Sequence, residues 1–494
     1  ATAPTSAPPP THQGTHERRA WGIGTWRQEH EALLNRGNDT PDDDWTLAEA
    51  AAAVATKKAS PAEILEACLR RAKNANAAQA FVELDANGAR TRAATLGVEL
   101  TARGPRSPLH GIPFAVKDVI DVQDMHTRAN SRILRDNLAP RDAAVVARMR
   151  AAGANIIGKT ATHEFAYGVV TPACRHPWDP GRIVGGSSGG SAVAVATGSA
   201  LGALGTDTAG SIRIPASLCG VCGLRPRLGS VAMDGIIPTA PTLDVCGPMT
   251  RTAEDLALFW QVLAATATPI TPRSNLRVGV PASLETATKA DPQVCDAVRE
   301  AVDTMRAAGA TVSNVELPAF AEWDRWRSIP QMVEALAVHR DAGWYPSHAS
   351  EYTKETLDSL RIAETLADGL ELALQQVAAL RAALLASIRD IEILVLPTTA
   401  TVAPTHVAAQ QVEPNMLRRP IVRQLTRLCG PISWADLAAA SVPCGIVDDL
   451  PVGLQLVGRD EITVLAAAIA YQQHYPFHQR PPSALQLPRN ETFL

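Results

Sequence analysis

The stretch Gly185-Gly-Ser-Ser-Gly-Gly-Ser-Ala192 lies mid-chain and runs straight into Ala192-Val-Ala-Val-Ala-Thr-Gly198. Composition alone makes it a flexible Gly/Ser linker. The run that follows argues otherwise, because a helix of alanines and valines makes sense only when packed tightly. Glycines in front of such a helix let the backbone bend sharply and approach a neighbour or ligand closely. A phosphate cradle is the other reading. It fails because the Lys-Ser/Thr that a P-loop carries after its last glycine is missing.

Two further segments give the loop its context. Downstream, Gly205-Thr-Asp-Thr-Ala-Gly-Ser-Ile-Arg213 places Ser211 in a second glycine-containing turn. Upstream, His110-Gly-Ile-Pro-Phe-Ala-Val-Lys-Asp118 puts Lys117 inside an apolar run, Ile112 to Ile120, that is too short for a helix and reads as a strand buried on both faces. Taken singly, Lys117 reads equally well as an exposed strand-end lysine, and Ser211 as a turn serine. A serine hydroxyl is a weak nucleophile without a base in hydrogen-bond reach. A solvated lysine, with a pKa of about 10.4, is charged and useless as that base. Burial among Phe114, Val116, Val119 and Ile120 disfavours the ammonium. Strand alternation sends Asp118 to the opposite face, where it does not oppose this effect.

These three segments, in this order, resemble the defining motifs of the amidase signature family. The similarity continues through Gly158-Lys-Thr160, Pro177-Trp-Asp179, Ala438 to Gly445 and Leu450 to Gly458, so it covers roughly residues 45 to 475. It implies a Ser–Ser–Lys triad with Ser211 as nucleophile, Ser187 as a bridging serine held by a cis peptide bond, and Lys117 as base. It also implies an oxyanion hole made by the backbone N–H groups of Thr208, Ala209, Gly210 and Ser211. Ser188 and Ser191 match the glycine-rich motif with positioning roles at most. Asp207 and Arg213 are read as a buried structural pair.

Bulk properties are those expected of an ordinary soluble globular protein. Hydrophobic residues make up 46% of the chain and charged residues 19%, and a net charge of −4 gives no basic excess for nucleic acid or an anionic membrane. No uncharged, strongly apolar run of about 18 residues occurs, so no membrane span is expected. The eight cysteines are expected to be buried thiols, since a lone Cys219-Gly-Val-Cys222 lacks the second pair that zinc needs. No metal and no cofactor is expected. The opening ATAPTSAPPPTHQG is rich in Pro, Thr and Ser and predicts a flexible extension over residues 1–44. It is compatible with the remnant of a processed signal, and the compartment stays open, with the cytoplasm slightly favoured over export.

Residues 45–494 are expected to form one large α/β domain with a mixed β-sheet core flanked by helices on both faces. Thr46-Leu-Ala-Glu49 and Ser60-Pro-Ala-Glu63 are capping boxes. Asp142 is expected to cap a helix ending at Gly153. Strands are predicted at Asn155 to Gly158, Leu276 to Val280, Thr311 to Leu317, Ile391 to Leu396 and Gly453 to Val457.

Substrate selectivity is the least legible property. Relatives often show Thr-Ala-Gly-Ser where this chain reads Thr127-Arg-Ala-Asn-Ser131, so Arg128 and Asn130 add bulk near the site. Tyr167 stands at a position that often lines the acyl pocket. Residues 318–430 match nothing specific, and they hold Trp323, Trp326, Trp344 and Tyr345, a cluster in a chain with only 4% aromatics. That cluster is either a satellite core or an apolar pocket wall. Tyr167, Asn130 and Trp344 are therefore the candidate pocket residues. The expected activity is hydrolysis of a small or medium, apolar or aryl amide, with carbamates and anilides included, through an acyl-enzyme. The competing expectation is the glutaminase component of a tRNA-dependent amidotransferase complex. The N-terminal extension, the aromatic region and Ile214-Pro215, where such components tend to carry Gln-Pro, weigh against it. An inactive binding scaffold is disfavoured because all three triad residues are present. Self-association as a homodimer is left open.

Overall fold

The computed structural model describes residues 44–73, 79–266, 268–412 and 419–479. The extension expected over residues 1–44 lies, apart from Asp44, outside the described residues. Among the described residues eleven strands form one sheet: β1 (Phe81–Leu84), β2 (Pro113–Lys117), β3 (Asn155–Thr160), β4 (Gly202–Asp207), β5 (Cys222–Arg225), β6 (Val245–Thr250), β7 (Arg277–Pro281), β8 (Thr311–Val315), β9 (Ile393–Pro397), β10 (Ala438–Val447) and β11 (Leu450–Gly458). Their order is β1-β3-β2-β4-β6-β5-β10-β11-β9-β7-β8. The sheet is mixed: β2 runs parallel to β3 and β4, and β7 to β8 and β9, while the remaining pairs are antiparallel. Every residue of β2, β3, β4, β6, β9 and β11 is buried, as expected of a sheet covered by helices on both faces.

The predicted strands all form, with shifted ends. Both capping boxes close, at Thr46–Glu49 and Ser60–Glu63. The Asp142 cap does not. The helix there is Ala144–Ala151, with Ala143 at its N-cap and no side-chain cap bond. Asp142 instead accepts from the Gln123 N–H at 2.8 Å and pairs with Arg150 at 2.9 Å. One stretch departs from the expectation of no long apolar span. Ala367–Ser387 is long and apolar enough by length and composition to cross a membrane, although Asp368, Glu371 and Arg381 interrupt it. In this fold its helix Leu370–Ser387 packs against the helices Phe320–Trp326 and Ser328–Asp341.

The glycine-rich segment is no linker. Gly189 to Ala196 forms a helix whose residues Gly189 to Val195 are all buried against the sheet. Gly190 shows why a side chain is barred there: a Cβ would sit 2.5 Å from the Ala161 nitrogen and 2.6 Å from the Ala80 oxygen. Backbone cannot yield as a side-chain tip can. Gly190→Ala should therefore lower stability by about 1–3 kcal/mol, read as a shift in the urea midpoint.

All eight cysteines are free and buried, as expected. Burial pushes the Cys246 thiol up to about 12 and Cys429 up to about 11, so neither supplies a thiolate at neutral pH.

Candidate active site

The parallel pairing of β2 with β4 sets Phe114 opposite Gly202, Ala115 opposite Ala203 and Val116 opposite Leu204. Beyond that register, at the C-terminal ends of the strands, the Lys117 side chain reaches Thr206. The helix Gly189–Ala196 leads back into β4, so the glycine-rich loop before it and the turn after β4 meet at the same sheet end. Crevices at the carboxyl ends of parallel strands are where α/β sheets usually hold ligands.

Lys117 Nζ lies 2.7 Å from Ser187 Oγ and 2.7 Å from Thr206 Oγ1, and the side chain is fully buried. Burial lowers its pKa to about 7, against the opposing pull of the Asp244 and Asp207 carboxylates. Asp118 does not reach it. That carboxylate pairs with Lys159 at 3.0 Å. The peptide bond Gly186–Ser187 is cis, as the family resemblance implied.

The two loops are held together by hydrogen bonds. The Ser188 N–H donates to the Ser211 carbonyl at 3.1 Å, and Ser188 Oγ donates to the Thr206 carbonyl at 3.2 Å. Ser191 Oγ donates to the Leu204 carbonyl at 2.9 Å and lies 2.8 Å from Thr160 Oγ1. Both serines thus tie the helix to the sheet. Thr171 supports the other side of the loop: its hydroxyl lies 3.0 Å from the Gly185 carbonyl and accepts from the Gly189 N–H at 3.2 Å.

The turn after β4 is organised by Asp207. Its carboxylate accepts from Arg213 Nε and Nη2, both at 2.9 Å, and Arg225 Nη1 lies at 3.3 Å. Burial alone would raise its pKa. The two guanidiniums overcome that and hold it well below the ordinary carboxylate range. The Asp207–Arg213 pairing is as read from the sequence; Arg225 is an addition. Arg213 also donates to Gln455 Oε1 at 2.7 Å and to Ser433 Oγ at 2.9 Å. Arg213→Met leaves those acceptors and much of a buried carboxylate uncompensated. It should cost about 3–5 kcal/mol of stability in urea unfolding.

Asp207 also alters the expected oxyanion set. Its Oδ1 accepts from the Gly210 N–H at 2.8 Å, in a turn where Gly210 takes φ +124°. Gly210 therefore leaves the set of four donors. The N–H groups of Thr208, Ala209 and Ser211 make no hydrogen bond to protein among the described residues, and these same three residues line a cavity of about 390 Å³. Ser211 Oγ likewise forms no hydrogen bond among the described residues. Thr208 is steadied by its hydroxyl, which donates to Asp244 Oδ1 at 2.6 Å. Asp244 in turn accepts from the N–H groups of Thr239 and Ala240 at 2.7 and 2.9 Å, while its burial pushes it up to about 6.

Of the three candidate pocket residues, only Tyr167 lines the cavity. Asn130 is exposed at φ +53°, and neighbouring Arg128 turns to Glu83 at 2.7 Å. Trp344 packs on Phe165, with ring centroids 4.8 Å apart, in a cluster with His339 and Tyr352. The aromatic region joins the main hydrophobic core, with Trp323 and Tyr345 inside it and Trp326 and Trp344 packed against it, and the expected apolar wall is absent from the cavity. The lining is mixed: Ala166, Val169, Ala321 and Val422 stand beside Asp324, Arg325, Arg327, Gln331 and Arg423. Sequence reading missed these polar residues, along with Thr206, Thr171 and Asp244. Among the described residues no group of three or more His, Cys, Asp or Glu side chains could hold a metal ion.

Known proteins share this architecture and its sequence. The amidase family model matches residues 63–461. The chain is 35% identical to the A-type component of the glutamyl-tRNA(Gln) amidotransferase of Roseiflexus sp. (strain RS-1) over 487 residues, 88% of this chain and 98% of the relative. It is also 35% identical to an amidase of Pseudomonas putida over 465 residues, 89% and 98% of the two chains. A solved amidase crystal structure superposes with a TM-score of 0.79 at 32% identity, covering 87% of this chain and 99% of that one. On these matches the chain belongs to the amidase signature family and is an amide-hydrolysing enzyme.

Proposed function

We propose that this chain is a self-contained serine amidohydrolase in which Ser211 attacks the carbonyl, Ser187 passes the proton and Lys117 is the base. One observation carries the reading: a fully buried lysine, its pKa lowered to about 7, lies 2.7 Å from the Ser187 hydroxyl. Neutral Lys117 donates an N–H to Thr206 and accepts the proton of Ser187. Ser187 then accepts the proton of Ser211 as that oxygen bonds to the acyl carbon. Such relay contacts tighten as the transition state forms. The N–H groups of Thr208, Ala209 and Ser211 stabilise the oxyanion. A donor of this kind is typically worth about 2.7–4 kcal/mol of barrier. The proton then returns along the relay to the leaving nitrogen, and water releases the acyl group by the same steps. A carbamate or ester carbonyl fits the same scheme. The mixed cavity lining favours a small or medium amide and withdraws the support for an aryl preference.

A second reading rests on the relative from Roseiflexus sp.: a glutaminase component that works with partner chains. The test is intact-mass spectrometry after a fluorophosphonate probe, beside a panel of alkyl amides, anilides, carbamates and glutamine. Labelling of Ser211 with turnover of simple amides by the isolated chain supports the first reading. Turnover of glutamine alone, or activity only with copurifying partners, supports the second. No label on Ser211 would sink both.

A further inference from the structure

We infer that the cavity beside Ser211 takes an amide carrying a carboxylate, which Arg325 and Arg423 receive. The inference rests on Ser211 being the attacking residue. Three guanidiniums and one carboxylate line the cavity: Arg325, Arg327, Arg423 and Asp324. The carboxylate is already neutralised. Its Oδ1 lies 3.1 Å from Arg327 Nη2, and its Oδ2 lies 3.0 Å from Arg427 Nε. Arg327 is buried and further held by Thr426 Oγ1 at 2.7 Å, so it belongs to the wall rather than to a ligand. Arg325 and Arg423 differ from it in kind. Both are exposed, and among the described residues neither forms an ion pair. Arg325 is steadied by the Trp326 ring, 4.6 Å below its guanidinium carbon. Stacking of that sort leaves the guanidinium edge, with its N–H donors, free for a planar anion.

The electrostatics follow from these neighbours. A pocket of about 390 Å³ whose lining carboxylate, Asp324, is doubly paired presents net positive charge to whatever enters. Guanidinium and carboxylate match in geometry, and charge-assisted bonds of this type are about twice as strong as neutral ones. A carboxylate in the substrate therefore gains what the neutral isostere lacks, at the same sheet end where Thr208, Ala209 and Ser211 await the scissile carbonyl.

The test uses two matched pairs with the full chain. Glutaramate and pentanamide place a carboxylate or a methyl on the acyl side; N-acetyl-β-alanine and N-propylacetamide place them on the amine side. In at least one pair kcat/KM for the acid should exceed that for the neutral amide by about tenfold or more, and the ratio should shrink as salt rises. The pair that shows it identifies the side on which the anion sits. Arg325→Gln with Arg423→Gln should bring the ratio towards one. Slowing of Ser211 labelling by each compound gives a readout that needs no turnover, and the acids should protect better than their neutral partners. Equal protection and equal turnover within both pairs, or a ratio that survives in the double variant, would overturn the inference while leaving the amidase reading intact. Failure of the probe to label Ser211 would remove both.

Discussion

Ser211→Ala should abolish covalent capture by a fluorophosphonate and lower kcat by a factor on the order of 10⁴–10⁶, the range seen when one member of a catalytic serine triad is removed. No neighbour can substitute. Ser187 is fully buried and held by Lys117, and Ser188 Oγ is engaged with the Thr206 backbone. Ser211 is slightly open and lines the cavity. The same variant should keep its fold, because the Ser211 carbonyl, and not its hydroxyl, accepts from Ser188. Intact-mass spectrometry gives the adduct and a linear amide gives the rate. A labelled Ser211→Ala protein would place the nucleophile elsewhere.

The second large effect is on pH dependence. Lys117 acts as a base only when neutral, and burial brings its pKa down to about 7. Below that value kcat/KM should therefore fall about tenfold per pH unit as the ammonium forms, and above it the profile should level. Lys117→Ala should cost about 10²–10⁴ in rate and remove that limb. Lys117→Arg should do no better, since a guanidinium stays charged. Stability carries the same signature. The unfolded lysine titrates near 10.5 and the native one near 7, so between these values the unfolded chain binds more protons. The contribution of Lys117 is thus full above about 10.5 and is lost as pH falls to about 7. Subtracting the urea stability of Lys117→Met from that of the parent chain at several pH values isolates it. A rate profile flat from pH 5 to 8 in the parent chain would end the case for a lysine base.

Much of the site was legible because its chemistry depends on residue types that are costly elsewhere. A glycine run leading into an all-small helix has few uses other than close backbone approach, and Gly190 bears this out. A lysine between Val116 and Asp118 in a continuous apolar run could be buried or end the strand exposed, and the fold buries it, with Asp118 turned to Lys159 instead. Strands rich in Val, Ile and Leu, such as Ile393–Pro397, were visible for the same reason. The sequences GALGTD, CGLR and VCGPMT were not. Glycine, proline and cysteine give them little intrinsic strand preference, and they are strands because their neighbours pair with them. The cap at Asp142 failed through competition, since an N–H from Gln123 and the charge of Arg150 offered better partners than the helix end.

The sequence by itself determined the family and the order and residue types of the three motifs, because those depend on local backbone demands and on what each side chain can do. Only the tertiary structure decided which N–H groups are free to meet an oxyanion. That depends on where the Asp207 carboxylate lands relative to Gly210, a contact set by two buried arginines, one of them on the distant strand β5. Tertiary structure also decided the character of the cavity. Trp323 is buried in the core and Trp344 packs on Phe165, while Arg325 and Arg423, from separate helices, meet the space beside Ser211. Composition counts side chains but carries no direction. Which face of a helix reaches the cavity is settled by packing of the opposite face, and that information is spread over the whole domain.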